Sequence, residues 1–315
     1  MWTPAPVSEA VTPNVIGADG TRPPVRGYDH EWFDYRPIVA RTPVSWPQGA
    51  RTAVSVVIQL NAPEWESSPP VEPRAAGGRG LAPSPDFPRM SHREFGHRVG
   101  ALRLAQQLYG RGIEPAVAVD VLTAEQYPSL LAQLPASEHI AAGLSASRPV
   151  TSAMGEDEEA DYIELSLERL AVAVGTRPVG WIGPERSQSG RTPRLLAAAG
   201  LEYMADWGND DVPYPAPGAG PDFWSCPFLW ELSDEAACFH RGVAPDTWAR
   251  SVMTAFDRLH AEGGRMLTLH LQPWVSGQAY RAASVDAVLA HLSTSPQVWF
   301  APPRDIVAHC KGLGA

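Results

Sequence analysis

Ten consecutive residues, Ala205–Tyr214 (ADWGNDDVPY), bring together three carboxylates, Asp206, Asp210 and Asp211, interleaved with Trp207 and Tyr214. They follow a short run with strand character, Leu201–Ala205, so the acids stand where a strand gives way to a loop. In a protein of alternating strands and helices, ligands bind there. A carboxylate beside Trp207 in a partly dry pocket would have its pKa raised by lost hydration, and Asp206 would then serve as a general acid or base. The same residue types also build an ordinary turn, one Asp capping backbone N–H groups and another pairing with an arginine.

Other polar residues converge on the same end of a parallel sheet by strand position. Glu64 follows the first strand and Asp120 ends the second. Glu185 and Arg186 follow the Gly180-Trp181 strand, and His270 and Gln272 end a late one. In TLHLQPW, strand alternation puts His270 and Gln272 on one face with Leu269 and Leu271 on the other. A pocket-facing His270 would exchange protons near neutral pH; a buried one would be structural. The catalytic candidates are therefore Asp206, His270 and Glu64. Asp120, Glu185, Arg186, Asp210 and Gln272 are binding candidates. Trp65, Trp181, Trp207 and Trp274 join them as apolar walls for a small aromatic or polycyclic ligand, with barrel core as their plain alternative. His97 and His139 read as structural, and Glu94 with Arg98 as a helix-face pair.

The elements that must position these groups alternate. Ala53–Leu60 is an apolar β-branched run, a buried strand. Ser91-x-x-Glu94 is a capping-box pattern for a helix to about Tyr109, with Phe95, Val99 and Leu102 on one face. Strands follow at Ala116–Val121, His139–Leu144, Val179–Ile182, Leu201–Ala205, Trp224–Leu229, Arg265–Leu271 and Val298–Ala301. Helices are expected from about Pro128, over Asp157–Val174, from Thr192-Pro193 to Gly200, over Pro245–Glu262 and over Val285–Leu292. Ser67–Pro88 is a Pro/Gly loop. Repeated βα units with about eight strands argue for a barrel over residues 51–315, with 1–50 as an extended arm.

Composition narrows the partners. The 315 residues carry a net charge of −10, which argues against a nucleic-acid partner. No apolar run approaches the roughly 20 residues of a membrane span. The first twenty residues lack the basic and apolar regions of a secretory signal, and three widely spaced cysteines suit reduced thiols in a cytoplasm. Lys311 is the only lysine, which makes Schiff-base chemistry improbable. The Arg, Ala, Gly and Pro bias suits a high-GC bacterium. The expected partner is a small-molecule substrate, and nothing in the composition excludes a homo-oligomer.

Several segments, in order across about residues 50–310, resemble the polysaccharide deacetylase (NodB-homology) superfamily, in particular its allantoinase-like branch. They are REFGHRVGALRL (Arg93–Leu104), EHIAAGLSASRPV (Glu138–Val150), RPVGWIGPERSQSGRTPRLLAAAGLEYMADWGNDDVPY (Arg177–Tyr214), HLQPWVSGQAYR (His270–Arg281) and VWFAPPRDI (Val298–Ile306). The resemblance implies an α/β fold, a deformed seven- or eight-stranded (β/α) barrel of the NodB-homology type. It also implies hydrolysis of amide-type C–N bonds, commonly with a divalent metal.

The chain departs from the pattern where that metal would be held. The family's acids at the end of the first strand are replaced by Gln59-Leu60-Asn61-Ala62-Pro63. Its two histidines four apart fall on Ala142 and Ala146, its arginine after the Gly-Trp pair on Ile182, and its late histidine before Pro on Gln272. Zinc and related ions need about three imidazole, thiolate or carboxylate ligands, which alanine cannot supply. The expectation is an enzyme with no metal and no cofactor, acting on a small molecule by acid–base chemistry in secondary metabolism, by cyclisation, elimination or rearrangement. The alternatives are a hydrolase of non-peptide C–N bonds and an inactive small-molecule-binding homologue.

Overall fold

The computed structural model describes residues 30–38, 41–62, 64–65, 87–150 and 153–314. Nine strands among them form one curled sheet: β1 Thr52–Leu60, β2 Ala116–Val119, β3 Glu138–Ala141, β4 Gly180–Trp181, β5 Tyr203–Met204, β6 Tyr214–Pro215, β7 Trp224–Ser225, β8 Arg265–Leu271 and β9 Val298–Phe300. The order is β6-β7-β5-β4-β3-β2-β1-β8, and β9 pairs with the first three residues of β1. All pairings are parallel except β6 with β7. No strand ladder joins β7 to β8. Loop contacts cross that seam instead: Met266 N–H donates to Asp211 O at 2.8 Å, and the Thr268 hydroxyl to Pro227 O at 3.3 Å. The expected deformed barrel is what the chain forms.

Strand parity sorts the core into two layers. Val54, Val56, Ile58 and Leu60 of β1, with Leu267, Leu269 and Leu271 of β8, pack outward against helices at 101–109, 245–262 and 279–294. Ala53 and Val57, with Ala116, Ala118, Ile140, Tyr203 and Met266, fill the interior. The helix Pro303–Leu313 adds Ile306, Val307 and Cys310 to that interior layer. Glu138 opens β3, accepting from the Tyr203 hydroxyl at 2.6 Å and from Arg304 N–H at 2.9 Å. The interior residues at the opposite, C-terminal strand ends are polar: Gln59, His270 and, just beyond β8, Gln272.

Longer elements fall where the periodicity puts them. The helix Pro245–Glu262 and strand Arg265–Leu271 have the expected bounds, and Gly175 ends the helix Glu156–Val174 in the left-handed conformation at φ 80°. The first helix differs. It is already helical at Phe87, and the Ser91 hydroxyl donates to Pro88 O, so the Ser91–Glu94 pattern caps nothing. A π-turn at Gly96–Gly100 then rotates the helix. It buries Arg93, Gly96, His97 and Gly100 and leaves Val99 and Arg98 exposed, so the expected apolar face and the Glu94–Arg98 pair do not form. The helix expected over Val285–Leu292 runs Ala279–Thr294. Most of the Ser67–Pro88 loop and the first 29 residues of the arm lie outside the described residues. Where the arm is described, Phe33 packs on Trp207 and Tyr214, and Trp46 is buried.

The π-turn seats this helix on the turn after β8. A Cβ on Gly100 would stand 2.1 Å from Pro273 O, and one on Gly277 would stand 2.3 Å from Gly100 Cα. This close approach fixes the Gln272–Trp274 segment. Gly100→Ala should therefore cost about 1–3 kcal/mol of stability through overpacking. Gly190→Ala, where a Cβ meets nothing within 4 Å, is the control. Denaturant midpoints compare them, and equal stability for the two variants would refute the packing claim.

Candidate functional site

At the C-terminal strand ends a small cleft is lined by Gln59, Asn61, Ala142, Ala146, Ile182, Glu185, Arg186 and Glu235, among others. Three carboxylates tie the surrounding loops together. Asp120 is fully buried: its Oδ2 accepts from Ala62 N–H at 2.8 Å and its Oδ1 from Thr123 N–H at 2.7 Å, capping the helix Val121–Gln126. Asp234, also fully buried, accepts from Gln272 N–H at 2.9 and 3.0 Å. Asp206 accepts from Gly183 N–H through Oδ1 at 2.9 Å. Burial pushes each of the three up to about 7 against the opposing pull of its backbone N–H donors.

Asp206 differs from the other two in what remains open. Its Oδ2 has no hydrogen-bond partner among the described residues and the side chain is only partly covered, but Asp206 stands behind Gly183 and does not itself line the cleft. It is also the one of the three with an arginine in electrostatic reach, since Arg186 pulls its pKa down while burial raises it. Gly183 and Arg186 line the cleft and belong to the turn that Asp206 holds. Glu185 and Arg186 both occupy the left-handed region, at φ 53° and 52°. That conformation is unfavourable for residues with a Cβ. The turn is closed by Arg186 N–H to Gly183 O at 2.8 Å and Ser187 N–H to Pro184 O at 3.0 Å.

A chain of side-chain hydrogen bonds fixes the histidine. Trp274 Nε1–H donates to Gln272 Oε1 at 3.2 Å, and Gln272 Nε2 donates to Gln59 Oε1 at 2.7 Å and to Glu235 Oε2 at 3.1 Å. Gln59 is thereby oriented with its Nε2 toward His270 Nδ1 at 3.0 Å. An indole can only donate, so the direction runs one way and leaves His270 with its proton on Nε2. Burial and then the Arg186 charge hold the ring's pKa down to about 3. Both features favour the structural alternative for His270, a neutral ring that donates through Nε2, over a proton carrier near pH 7. Its Nε2 is buried without a partner, and its ring packs on Phe228 at 3.9 Å.

The remaining predicted residues divide. Glu185 and Arg186 line the cleft, and Gln272 stands behind Gln59 and Glu235. Glu64 is on the rim, 2.5 Å from Arg148 Nε, and does not line the cleft. Asp120 is spent on backbone N–H groups and cannot meet a ligand. Asp210 accepts from Asp211 and Val212 N–H and pairs with Arg41 at 2.8 Å, both structural jobs anticipated for this Asp cluster. Trp181 belongs to the outer core, fully buried beside Tyr162. Trp274 is buried under Arg93 at 3.8 Å and supports Gln272. Trp207 lies under Phe33 of the arm, and Trp65 packs on Phe87, 37% exposed. The tryptophans are not walls of this cleft. The sequence reading missed Asp234, Glu235 and Arg93, whose guanidinium lies 3.6 Å from Glu235. Their signal was slight: an Asp-Glu pair ten residues beyond a two-residue strand.

No family model matches the chain, and no curated protein sequence matches it. Solved structures do. A protein from Mycobacterium smegmatis described as a polysaccharide deacetylase superposes with TM-score 0.73 at 24% identity, over 87% of this chain and 95% of that one. The PuuE allantoinase superposes at 0.74 and 22% identity, over 96% and 98%. A protein described as a polysaccharide deacetylase from Pseudomonas aeruginosa PAO1 gives 0.72 and 22%, over 96% and 98%. The fold is that of the polysaccharide deacetylases and allantoinase. On this deacetylase-type barrel, of the positions where the chain departs from the pattern, Gln59, Asn61, Ala142, Ala146 and Ile182 line the one cleft, and Gln272 stands behind it. Among the described residues, no three of His, Cys, Asp and Glu gather where they could hold an ion.

Two measurements check these electrostatics. The ¹⁵N shifts of His270 should report a neutral ring protonated on Nε2 throughout pH 5–8; a titration in that window would break the relay. Asp206, raised from 3.8 to about 7, favours its neutral form in the folded state. Its stabilising contribution is therefore complete below about pH 4 and is lost as pH rises through about 7. Asp206→Asn should gain stability relative to the unaltered protein between pH 4 and pH 8, read from denaturant midpoints. A difference independent of pH would refute the raised pKa.

Proposed function

We propose that this protein is an enzyme that moves protons on a small molecule through Asp206, with no resident metal ion. The supporting observation is the divided carboxylate of Asp206. One oxygen is anchored to Gly183 N–H and the other is uncommitted, beside a cleft whose neighbouring loops are stitched by two fully occupied acids. A pKa of about 7 is the value at which a carboxyl both takes and returns protons efficiently under physiological conditions. Arg186 and Asn61 on the cleft wall supply the polar groups that orient a substrate.

The donor set does not fit a divalent cation. The cleft presents Gln59 and Asn61 where the resemblance implies acids and Ala142 and Ala146 where it implies histidines, Gln272 behind it replaces the late histidine, and the cleft's own cation is Arg186. Of its acids, Glu235 is engaged by Arg93 and Gln272. His270 offers its Nδ1 to Gln59 and carries a proton on the other nitrogen, so neither nitrogen is available as a lone-pair donor. No step is assigned to a metal here. Proton transfer alone suits a cyclisation, elimination or rearrangement, which is our first reading. Hydrolysis of a non-peptide C–N bond is the second, with Asp206 activating water, and the likeness of the barrel to deacetylases and an allantoinase supports it.

Elemental analysis of purified protein should find no stoichiometric zinc, nickel or cobalt; one tightly held equivalent would overturn the metal-free reading. Acetate and ammonia release from an amide and ureide panel separates the two reactions. Turnover there would favour hydrolysis, would rise with pH through about 7 as Asp206 ionises, and would fall about 10²–10⁴-fold in Asp206→Asn. A turnover unaffected by Asp206→Asn would remove this residue from the chemistry.

A further inference from the structure

Arg186 presents an unusual combination. Its guanidinium makes no hydrogen bond or ion pair among the described residues, and it stacks on Phe228 at 5.1 Å and Trp230 at 5.2 Å. Burial lowers its pKa from the usual arginine value, against the opposing pull of Glu235, Asp206 and Glu185. It is held on the cleft wall by a left-handed backbone, and strain of that kind persists where a side chain's direction matters. Asn61 lines the same cleft, and its Oδ1 is buried with no hydrogen-bond partner among the described residues. A donor-only fork and an orphaned acceptor therefore belong to two residues that line one small cleft, and buried polar groups without partners are uncommon in folded proteins.

Resting on the reading of this cleft as a substrate site, we propose that its ligand is a small organic acid. The carboxylate lies against Arg186, and a hydroxyl or amide N–H of the same molecule donates to Asn61 Oδ1. A carboxylate matches the planar guanidinium with two parallel hydrogen bonds. Its single charge suits a wall with one uncommitted cation and acidic neighbours, where a phosphate dianion would meet Glu185 and Glu235. Glu235 does not displace the ligand, because Arg93 and Gln272 already hold it. The aromatic pair under Arg186 keeps the fork pre-oriented and partly dehydrated, which strengthens a charged hydrogen bond.

Three probes test this by calorimetry at pH 7.5: N-acetylglycine, its uncharged analogue N-acetylglycinamide, and acetate, which lacks the N–H. N-acetylglycine should bind about 10–100-fold more tightly than the amide, the range expected for a charged hydrogen-bonded pair. Arg186→Gln should abolish that preference, and Arg186→Lys should retain part of it, with circular dichroism confirming that both variants fold. Asn61→Ala should bring N-acetylglycine down to the affinity of acetate. Equal binding of acid and amide, binding of none of the three, or a preference that survives Arg186→Gln would each overturn the proposal. Asp206→Asn should keep the preference for the acid, so its effect on turnover tests the proton-transfer reading separately.

Discussion

The polar end of this barrel depends on carboxylates accepting hydrogen bonds from the backbone of neighbouring loops. Segments beyond the C-terminal ends of the parallel strands have N–H groups without ladder partners, and each left buried and unpaired would cost about 1–3 kcal/mol. Asp120 answers this for the segments after β1 and β2, Asp234 for the segment after β8, and Asp206 for the segment after β4. The positions of three polar residues in or behind the cleft follow from these contacts. Asn61 precedes the residue Asp120 holds, Arg186 belongs to the turn that starts at the residue Asp206 holds, and Gln272 is itself held by Asp234.

The same end is made largely of neutral groups, and this sets its chemistry. A relay of indole, amide, amide and imidazole can be satisfied in only one direction, so its protons are fixed by hydrogen-bond geometry rather than by solution pH. Glutamine at 59 and 272 occupies the space of residues that could ionise while keeping a donor and an acceptor apiece. The histidine at the end of the relay is rigid and uncharged. Net charge in the cleft is left to Arg186 and to the acids around it, and Asp206 is the stitching acid with the fewest hydrogen bonds among the described residues.

Much of this fold was legible in the sequence because long amphipathic helices and the nine-residue β1 carry their own periodicity. Parity in TLHLQPW correctly put His270 and Gln272 together inside the barrel. What periodicity could not show was a π-turn, which moves every later side chain around the helix by part of a turn; Arg98 and Val99 were read as inward and Arg93 was not. The two-residue strands β4, β5 and β7 are too short to project a pattern, so residues beyond them were placed by order alone. Arg186 and Asp206 were found that way. Glu235 and Asp234 were not, because they act through a π-helical segment at Glu235–His240 that no local signal announces. The aromatic residues misled for a physical reason: tryptophan is large and apolar enough to serve in a core or a pocket, and composition cannot say which.

The left-handed pair Glu185–Arg186 bears on whether the cleft is a retained site or a relic. Each such residue costs about 1–2 kcal/mol relative to a relaxed turn, and glycine or asparagine at either position would relieve it. If the cleft were only a filled-in remnant, a relaxed turn would serve, because Gly183 N–H can be held by Asp206 whatever follows two residues later. The backbone hydrogen bonds of the turn do not depend on the side chains at 185 and 186 either. The strain therefore maintains the direction of a guanidinium that no carboxylate in the described structure neutralises by direct contact. Under the proposal above, a charge stacked on two aromatic rings and held on a cleft wall at a standing energetic cost would be met there by the carboxylate of a ligand.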